Sequence, residues 1–170
     1  MRHLATLAAT FALLAACSKA PGGGDAQPDF NTDVPMSEFM LHFVDPAAFM
    51  YWRGSGVEVT EAGERDLSPT TDEGWETLVT GATMLVEAGN LMQIPGRTRA
   101  PEADWNKYAR MLTERALVAR DAAEKRDKQA VFDEGGRVYE VCVACHEQFV
   151  IAPQEEAEAP LPPHDPPAGR

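Results

Sequence analysis

The chain has 170 residues, of which 44% are hydrophobic and 25% are charged, and this composition is typical of one globular domain. It carries 15 basic and 27 acidic side chains, which give a formal net charge of −12. We expect such an acidic chain neither to bind nucleic acid by neutralising phosphates nor to be attracted to anionic lipid headgroups. The composition also excludes collagen, a coiled-coil rod and a disulfide-dense mini-protein.

The N-terminal segment, residues 1–16, has the pattern of an export signal. Arg2 supplies the positive charge, and the apolar run after it is too short to span a bilayer. The Leu-Ala-Ala-Cys sequence at residues 14–17 resembles the lipobox of bacterial lipoproteins, in which the cysteine is lipidated and becomes the first residue of the mature protein. The resemblance implies a periplasmic protein anchored to a membrane, with the outer membrane expected, through lipid on Cys17. A plain secretory signal is the alternative.

Two segments have compositions that are poorly suited to forming a core. Residues 17–32 contain three consecutive glycines and two prolines, which predicts a flexible tether. Residues 152–170 are acidic and rich in proline, which predicts a disordered tail. The folded domain is therefore expected over residues 33–151.

Four stretches of this domain place apolar residues at helical spacing, which predicts an all-α fold. The predicted helices cover about residues 35–53, 72–92, 101–126 and 127–149. Helices of this length around one core predict an antiparallel four-helix bundle. We expect Pro46 to kink or weaken the first helix, and Thr70 with Glu73 to form a capping box before the second. Residues 54–70 are predicted to be a loop.

The last predicted helix carries a C-x-x-C-H motif at residues 142–146, the attachment motif of c-type haem. Two thiols at positions i and i+3, here Cys142 and Cys145, lie on one side of a helix. They can form thioether bonds to the two vinyl groups of one haem, and His146 can supply an axial imidazole to the iron. Attachment of this kind follows export, and the chain carries an export signal.

Other uses of the cysteine pair stay open. A thioredoxin-type pair needs a lowered thiol pKa, usually at a helix N-terminus, whereas this pair lies at the other end of its predicted helix. A disulfide between Cys142 and Cys145 would not require His146. A zinc site would need about four ligands, and only these three are close in sequence.

An all-helical domain with C-x-x-C-H in its last helix resembles the cytochrome c-prime family, the class II c-type cytochromes. The resemblance covers about residues 34–150. It implies one haem near one end of the bundle, with Cys142 and Cys145 holding the cofactor and His146 as the proximal iron ligand. Phe149 matches a common aromatic position of the family, whereas Val150 stands where the family often has a basic residue.

The resemblance also implies that a residue of the first helix faces the distal side of the iron. Met40 is the first candidate and Met36 the second, as an iron ligand or as a side chain that crowds the iron. His42 is a third candidate, although it falls off the apolar face of the helix. Phe39 and Phe43 flank Met40 and are expected to line the haem pocket, though core packing explains them equally well.

The sequence therefore predicts a membrane-tethered periplasmic monohaem cytochrome that transfers single electrons between redox proteins and is not an enzyme. One alternative is a five-coordinate haem module that binds nitric oxide or carbon monoxide, and another is a haem-free lipoprotein with a Cys142–Cys145 disulfide. Arg97 and Arg99 could pair with haem propionates, but solvated loop charges are the preferred interpretation. Members of the family often dimerise, so a homodimer is a further expectation.

Overall fold

The computed structural model describes residues 29–154, and this part of the chain is mostly helical, with four helices and little strand. The prediction of a helical fold is confirmed at that level. Within the described residues, no helix combines the length and the apolar character needed to cross a membrane. The predicted signal segment, the predicted lipidation site Cys17, residues 17–28 of the predicted tether and residues 155–170 lie outside the described range. Residues 152–154, predicted to begin the tail, still belong to the last helix.

The first helix is continuous but has three parts. It begins with α1 (Met36–Phe39), passes through a π-helical turn (Met40–Val44) and ends with α2 (Asp45–Trp52). Pro46 lies in the first turn of α2, directly after the hydrogen-bonding pattern changes from π-helical to α-helical. Proline has no N–H to donate, and Pro46 lies where the hydrogen-bonding pattern of the helix changes. The helix therefore continues past Pro46.

Residues 54–70 were predicted to be a loop, and this prediction is wrong over part of the segment. Strands β1 (Val57–Thr60) and β2 (Gly63–Asp66) pair in an antiparallel hairpin. Gly63 has a φ of +119°, a conformation that favours glycine. The guanidinium of Arg65 contacts the Glu58 carboxylate on the facing strand position at 2.6 Å.

The other three helices agree closely with their predicted positions. They are α3 (Asp72–Met92), α4 (Glu102–Glu124) and α5 (Lys128–His146), and a second π-helical turn (Glu147–Ile151) extends α5. The N-cap of α3 is Thr71, whose hydroxyl accepts a hydrogen bond from the Gly74 N–H at 3.1 Å. The prediction of a capping box between Thr70 and Glu73 is therefore wrong, because the N-cap is one residue later.

The helices pack around a core rich in alanine, with α2 against α3, α3 against α4 and α4 against α5. Small residues let the backbones approach, since a Cβ at Gly81 would lie 2.6 Å from the Ala47 carbonyl oxygen. The Tyr51 hydroxyl donates to the Ala119 carbonyl at 3.0 Å, and this buried bond joins the first helix to α4. The Trp52 indole donates to the Gly135 carbonyl at 3.0 Å. These contacts fix the first helix beside α5.

Candidate cofactor site

A cavity of about 670 Å³ lies between the first helix and the C-terminal end of α5. Its volume falls within the range of roughly 300–1,000 Å³ that is usual for small-molecule and cofactor sites. All four helices contribute to a mainly apolar wall. Its wall includes the apolar side chains Val44, Ala48 and Leu112. It also includes three side chains that can bind a metal or a cofactor, namely Met40, Cys142 and His146.

The three residues of the C-x-x-C-H motif meet at this cavity. Cys142, Cys145 and His146 form the last turn of α5, and all three line the wall. Both cysteines are partly buried free thiols, and His146 is more exposed. Because the helical backbone continues through the following π-helical turn, the motif is held within a regular helix rather than at a loose end.

Phe149 anchors the turn that follows the motif. Its ring packs edge-on against Trp105 at 5.2 Å and against Tyr108 at 6.3 Å between ring centroids. Trp105 is itself fixed, because its indole N–H donates to the Met92 carbonyl at 2.8 Å. Aromatic pairs with this geometry add to the stability gained from burial alone. The aromatic position that carried part of the family resemblance therefore holds the end of α5 against α4.

Burial opposes the ionisation of both thiols of the motif. Burial raises the pKa of Cys142 to about 11, and the charges of Cys145 and Asp45 add to the rise. Burial also raises the pKa of Cys145, while the positive charge of Arg99 acts in the opposite direction. A thioredoxin-type pair depends on a lowered thiol pKa, whereas the pKa values of both thiols are raised here.

Met40 lies on the first-helix wall of the same cavity. It is the first residue of the π-helical turn, and its side chain is partly buried against the core. The second candidate, Met36, packs against the core and is not part of the cavity wall. Between the two methionines predicted for the distal position, the structure therefore brings only Met40 to the C-x-x-C-H motif.

His42, Phe39 and Phe43 lie away from the cavity. His42 is exposed and contacts the Glu38 carboxylate at 3.1 Å, with 69% of the histidine side chain accessible. The rings of Phe39 and Phe43 stack at 5.2 Å between centroids, and Phe39 is buried in the core. The two rings lie on the neighbouring face of the helix, so the expectation that they line the pocket is not met by this cavity.

Arg97 is not the solvated loop charge that was expected. Its guanidinium lies 4.8 Å from the centre of the Phe39 ring, and two of its nitrogens, Nε and Nη1, are buried without a hydrogen-bond partner among the described residues. The contact holds Arg97 against the first helix on the side of Phe39, away from the cavity wall. The exposed Arg99 lies over the Trp105 ring at 5.7 Å and acts on the Cys145 thiol.

Several cavity residues were missed by sequence reasoning. From the first helix these include Leu41, Val44, Asp45 and Ala48. These residues are spaced by three and four positions, which indicates that they share one face of a helix. The prediction instead used the neighbouring face, where the aromatic residues of the helix lie. Within residues 29–154, no group of three or more His, Cys, Asp or Glu side chains is arranged to hold a metal ion.

The chain matches no family model, and comparisons with curated proteins and with solved structures find no significant match. The function is therefore argued from the residues of the site.

Proposed function

We propose that the protein is a membrane-tethered periplasmic c-type cytochrome that transfers single electrons. In this proposal one covalent haem c occupies a four-helix bundle of the cytochrome c-prime type. The observation that carries the proposal is that Cys142, Cys145, His146 and Met40 all line one cavity of cofactor size. Met40 lies more than 100 positions before the C-x-x-C-H motif in the sequence, and both border the same apolar space. In this proposal the two cysteines attach the cofactor, and Met40 and His146 are the two iron-binding side chains.

The donor set fits haem c. Cys142 and Cys145 present two unpaired thiols at i, i+3 spacing, as thioether attachment to two vinyl groups requires. His146 follows them directly and supplies an imidazole. When bound, haem c supplies an iron centre that exchanges one electron. The apolar wall limits the access of water, which in c-type sites is one of the factors that sets the reduction potential.

Two further residues have roles in this proposal. The Met40 thioether is the candidate sixth ligand, and methionine ligation raises the reduction potential of a haem. Arg97 packs on Phe39 away from the cavity wall, so it is given no role in holding the cofactor. Lipid on Cys17 would keep the domain near membrane-bound redox proteins.

The rival function is capture of nitric oxide or carbon monoxide at a five-coordinate iron. One observation favours it, namely that the first-helix wall beside Met40 includes the apolar side chains Leu41, Val44 and Ala48. If Met40 packs without binding iron, these side chains surround a small apolar space suited to a diatomic gas.

The test is a visible absorption spectrum, oxidised and dithionite-reduced, of protein produced in cells that attach haem c. The reduced sample is measured again under carbon monoxide. A low-spin reduced spectrum that carbon monoxide leaves unchanged supports electron transfer with a sixth protein ligand. A high-spin spectrum that shifts with carbon monoxide supports the gas-binding function instead.

A matched control removes the attachment sites. The double variant Cys142→Ser and Cys145→Ser should contain no covalent haem after denaturation. If the unaltered chain also lacks haem absorbance, the cytochrome proposal is wrong, and a haem-free lipoprotein with a Cys142–Cys145 disulfide takes its place.

A further inference from the structure

The last helix carries an exposed apolar stripe that the described residues leave uncovered. Phe132 is 55% exposed, Tyr139 57%, and Val143 and Val150 41% each. They are separated by seven, four and seven residues, which places them on one side of a helix. Large apolar side chains that line up in this way mark a contact surface rather than scattered exposure. We call these four residues the α5 stripe.

The N-terminal half of the α5 stripe opens into a groove of about 680 Å³. Trp52, Phe132 and Tyr139 form its aromatic walls, and Gly136 leaves its floor open, since a Cβ there would meet nothing within 4 Å. The groove is preformed, because the Trp52 indole is bound to the Gly135 carbonyl and its ring lies edge-on to Tyr139 at 6.0 Å. Grooves lined by aromatic side chains bind proline-rich segments in the polyproline II conformation.

Such a segment is present in this chain. Residues 155–170 read EEAEAPLPPHDPPAGR and contain five prolines. Pro160, Pro163 and Pro166 are spaced by three residues, which is one turn of a polyproline II helix, so they would share one edge. The sequence therefore combines a proline-rich segment with an aromatic groove, two features that bind each other in peptide recognition.

The tail is long enough to reach the groove. The described chain ends at Gln154, at the C-terminal end of the helix that carries the α5 stripe. Tyr139 lies about 22 Å back along this helix at 1.5 Å per residue, and Phe132 about 33 Å back. A polyproline II segment advances about 3.1 Å per residue, so a tail that doubles back would bring about residue 161 beside Tyr139 and about residue 165 beside Phe132.

We propose that residues 155–170 fold back along the α5 stripe and dock their prolines into the aromatic groove of the same chain. The contact would be apolar rather than ionic, because Glu158 of the tail would pass near Glu147 of the helix. It should therefore persist in high salt, which screens this repulsion. A covalent link gives the tail an effective concentration in the millimolar range, so a weak intrinsic affinity is sufficient.

Site-specific photo-crosslinking in the full-length protein, as it is purified, tests this docking. The substitution Leu161→p-benzoylphenylalanine places a photoreactive group between the prolines. After irradiation, mass spectrometry should find the crosslinks within one chain, at residues 132–143. Mixing isotopically light and heavy protein before irradiation distinguishes crosslinks within a chain from crosslinks between two copies.

A pair of surface variants makes the test specific. Phe132→Ser removes one groove wall and should lower the crosslink yield at α5 by about ten-fold. Leu117→Ser removes a similarly exposed apolar side chain of α4, 47% accessible, and should leave the yield unchanged. Crosslinks scattered over the surface, crosslinks only between copies, or a yield that Phe132→Ser does not change would each overturn the proposal. The measurement does not depend on the iron ligands, so its outcome is separate from that of the spectra.

Discussion

The close approach of the first helix to α3 depends on Gly81, which makes Gly81→Ala a sharp test of the packing. An added Cβ would lie 2.6 Å from the Ala47 carbonyl oxygen, 2.8 Å from the Met50 Cβ and 3.1 Å from the Tyr51 nitrogen. Two of these atoms belong to the main chain and the third is a Cβ. None of them can move by a change of rotamer, so the two helices must separate.

The size of the effect follows from these distances. The shortest contact is 0.8 Å below the 3.4 Å at which ordinary van der Waals contact begins. Overpacking of a core costs about 1–3 kcal/mol, and rigid obstacles favour the upper end of this range. Alanine regains up to about 1 kcal/mol over glycine inside a helix. We therefore expect Gly81→Ala to lower the free energy of unfolding by about 2 kcal/mol.

Gly136→Ala is the matched control, because Gly136 also lies inside a helix but a Cβ there would meet nothing within 4 Å. This variant should raise the free energy of unfolding by up to about 1 kcal/mol. Urea denaturation followed by circular dichroism measures both values under one protocol. If Gly81→Ala proves as stable as the unaltered protein while Gly136→Ala behaves as expected, the packing of the first helix against α3 is wrong.

Four variants and one titration test the proposed haem ligands, the lipid anchor and the burial of the motif. Met40→Ala should lower the reduction potential and make the reduced haem high-spin, and an unchanged spin state in the spectrum would show that the methionine only packs. His146→Phe should shift the iron absorption bands, whereas His42→Phe should not; equal effects would contradict proximal ligation by His146. Cys17→Ser should abolish palmitate labelling and release the protein from membrane fractions, and retention in the membrane would refute lipid anchoring. In haem-free protein the raised pKa of Cys142, about 11 against an ordinary 9.0, should lower its thiolate fraction at pH 8 about 100-fold and slow its alkylation, with the rate rising about ten-fold per pH unit up to that pKa; an ordinary rate would refute its burial.

The helices were predictable because burial leaves a periodic trace in the sequence. The predicted span of α3 agrees with the observed span residue for residue, since its apolar face repeats at three and four positions over the whole length. The hairpin leaves no such trace. Val57 and Val59 alternate but are 56% and 75% exposed, and the hairpin depends on the Gly63 turn and the Glu58–Arg65 pair rather than on a buried face.

The candidate site was predictable where a motif fixes the chemistry and not where tertiary contacts decide. Cys142, Cys145 and His146 followed from their spacing, and Met40 from the family resemblance. The burial of Arg97 could not be foreseen, because it depends on Phe39, which is distant in sequence and meets the arginine only in the folded chain. The cavity face of the first helix was misjudged because a π-helical turn has no clear sequence signature.

The π-helical turn at Met40–Val44 also holds about one residue more than an α-helical turn would in the same place. A π-helical turn closes its hydrogen bonds over one residue more than an α-helical turn does, and one residue corresponds to a rotation of about 100°. Because the wider turn takes up one extra residue, deleting a single residue within it would restore an unbroken α-helix and leave Met36–Phe39 close to its present orientation. The first helix can thus change its length by one residue at this turn, while the side chains that its two ends present to the core and to the cavity stay the same.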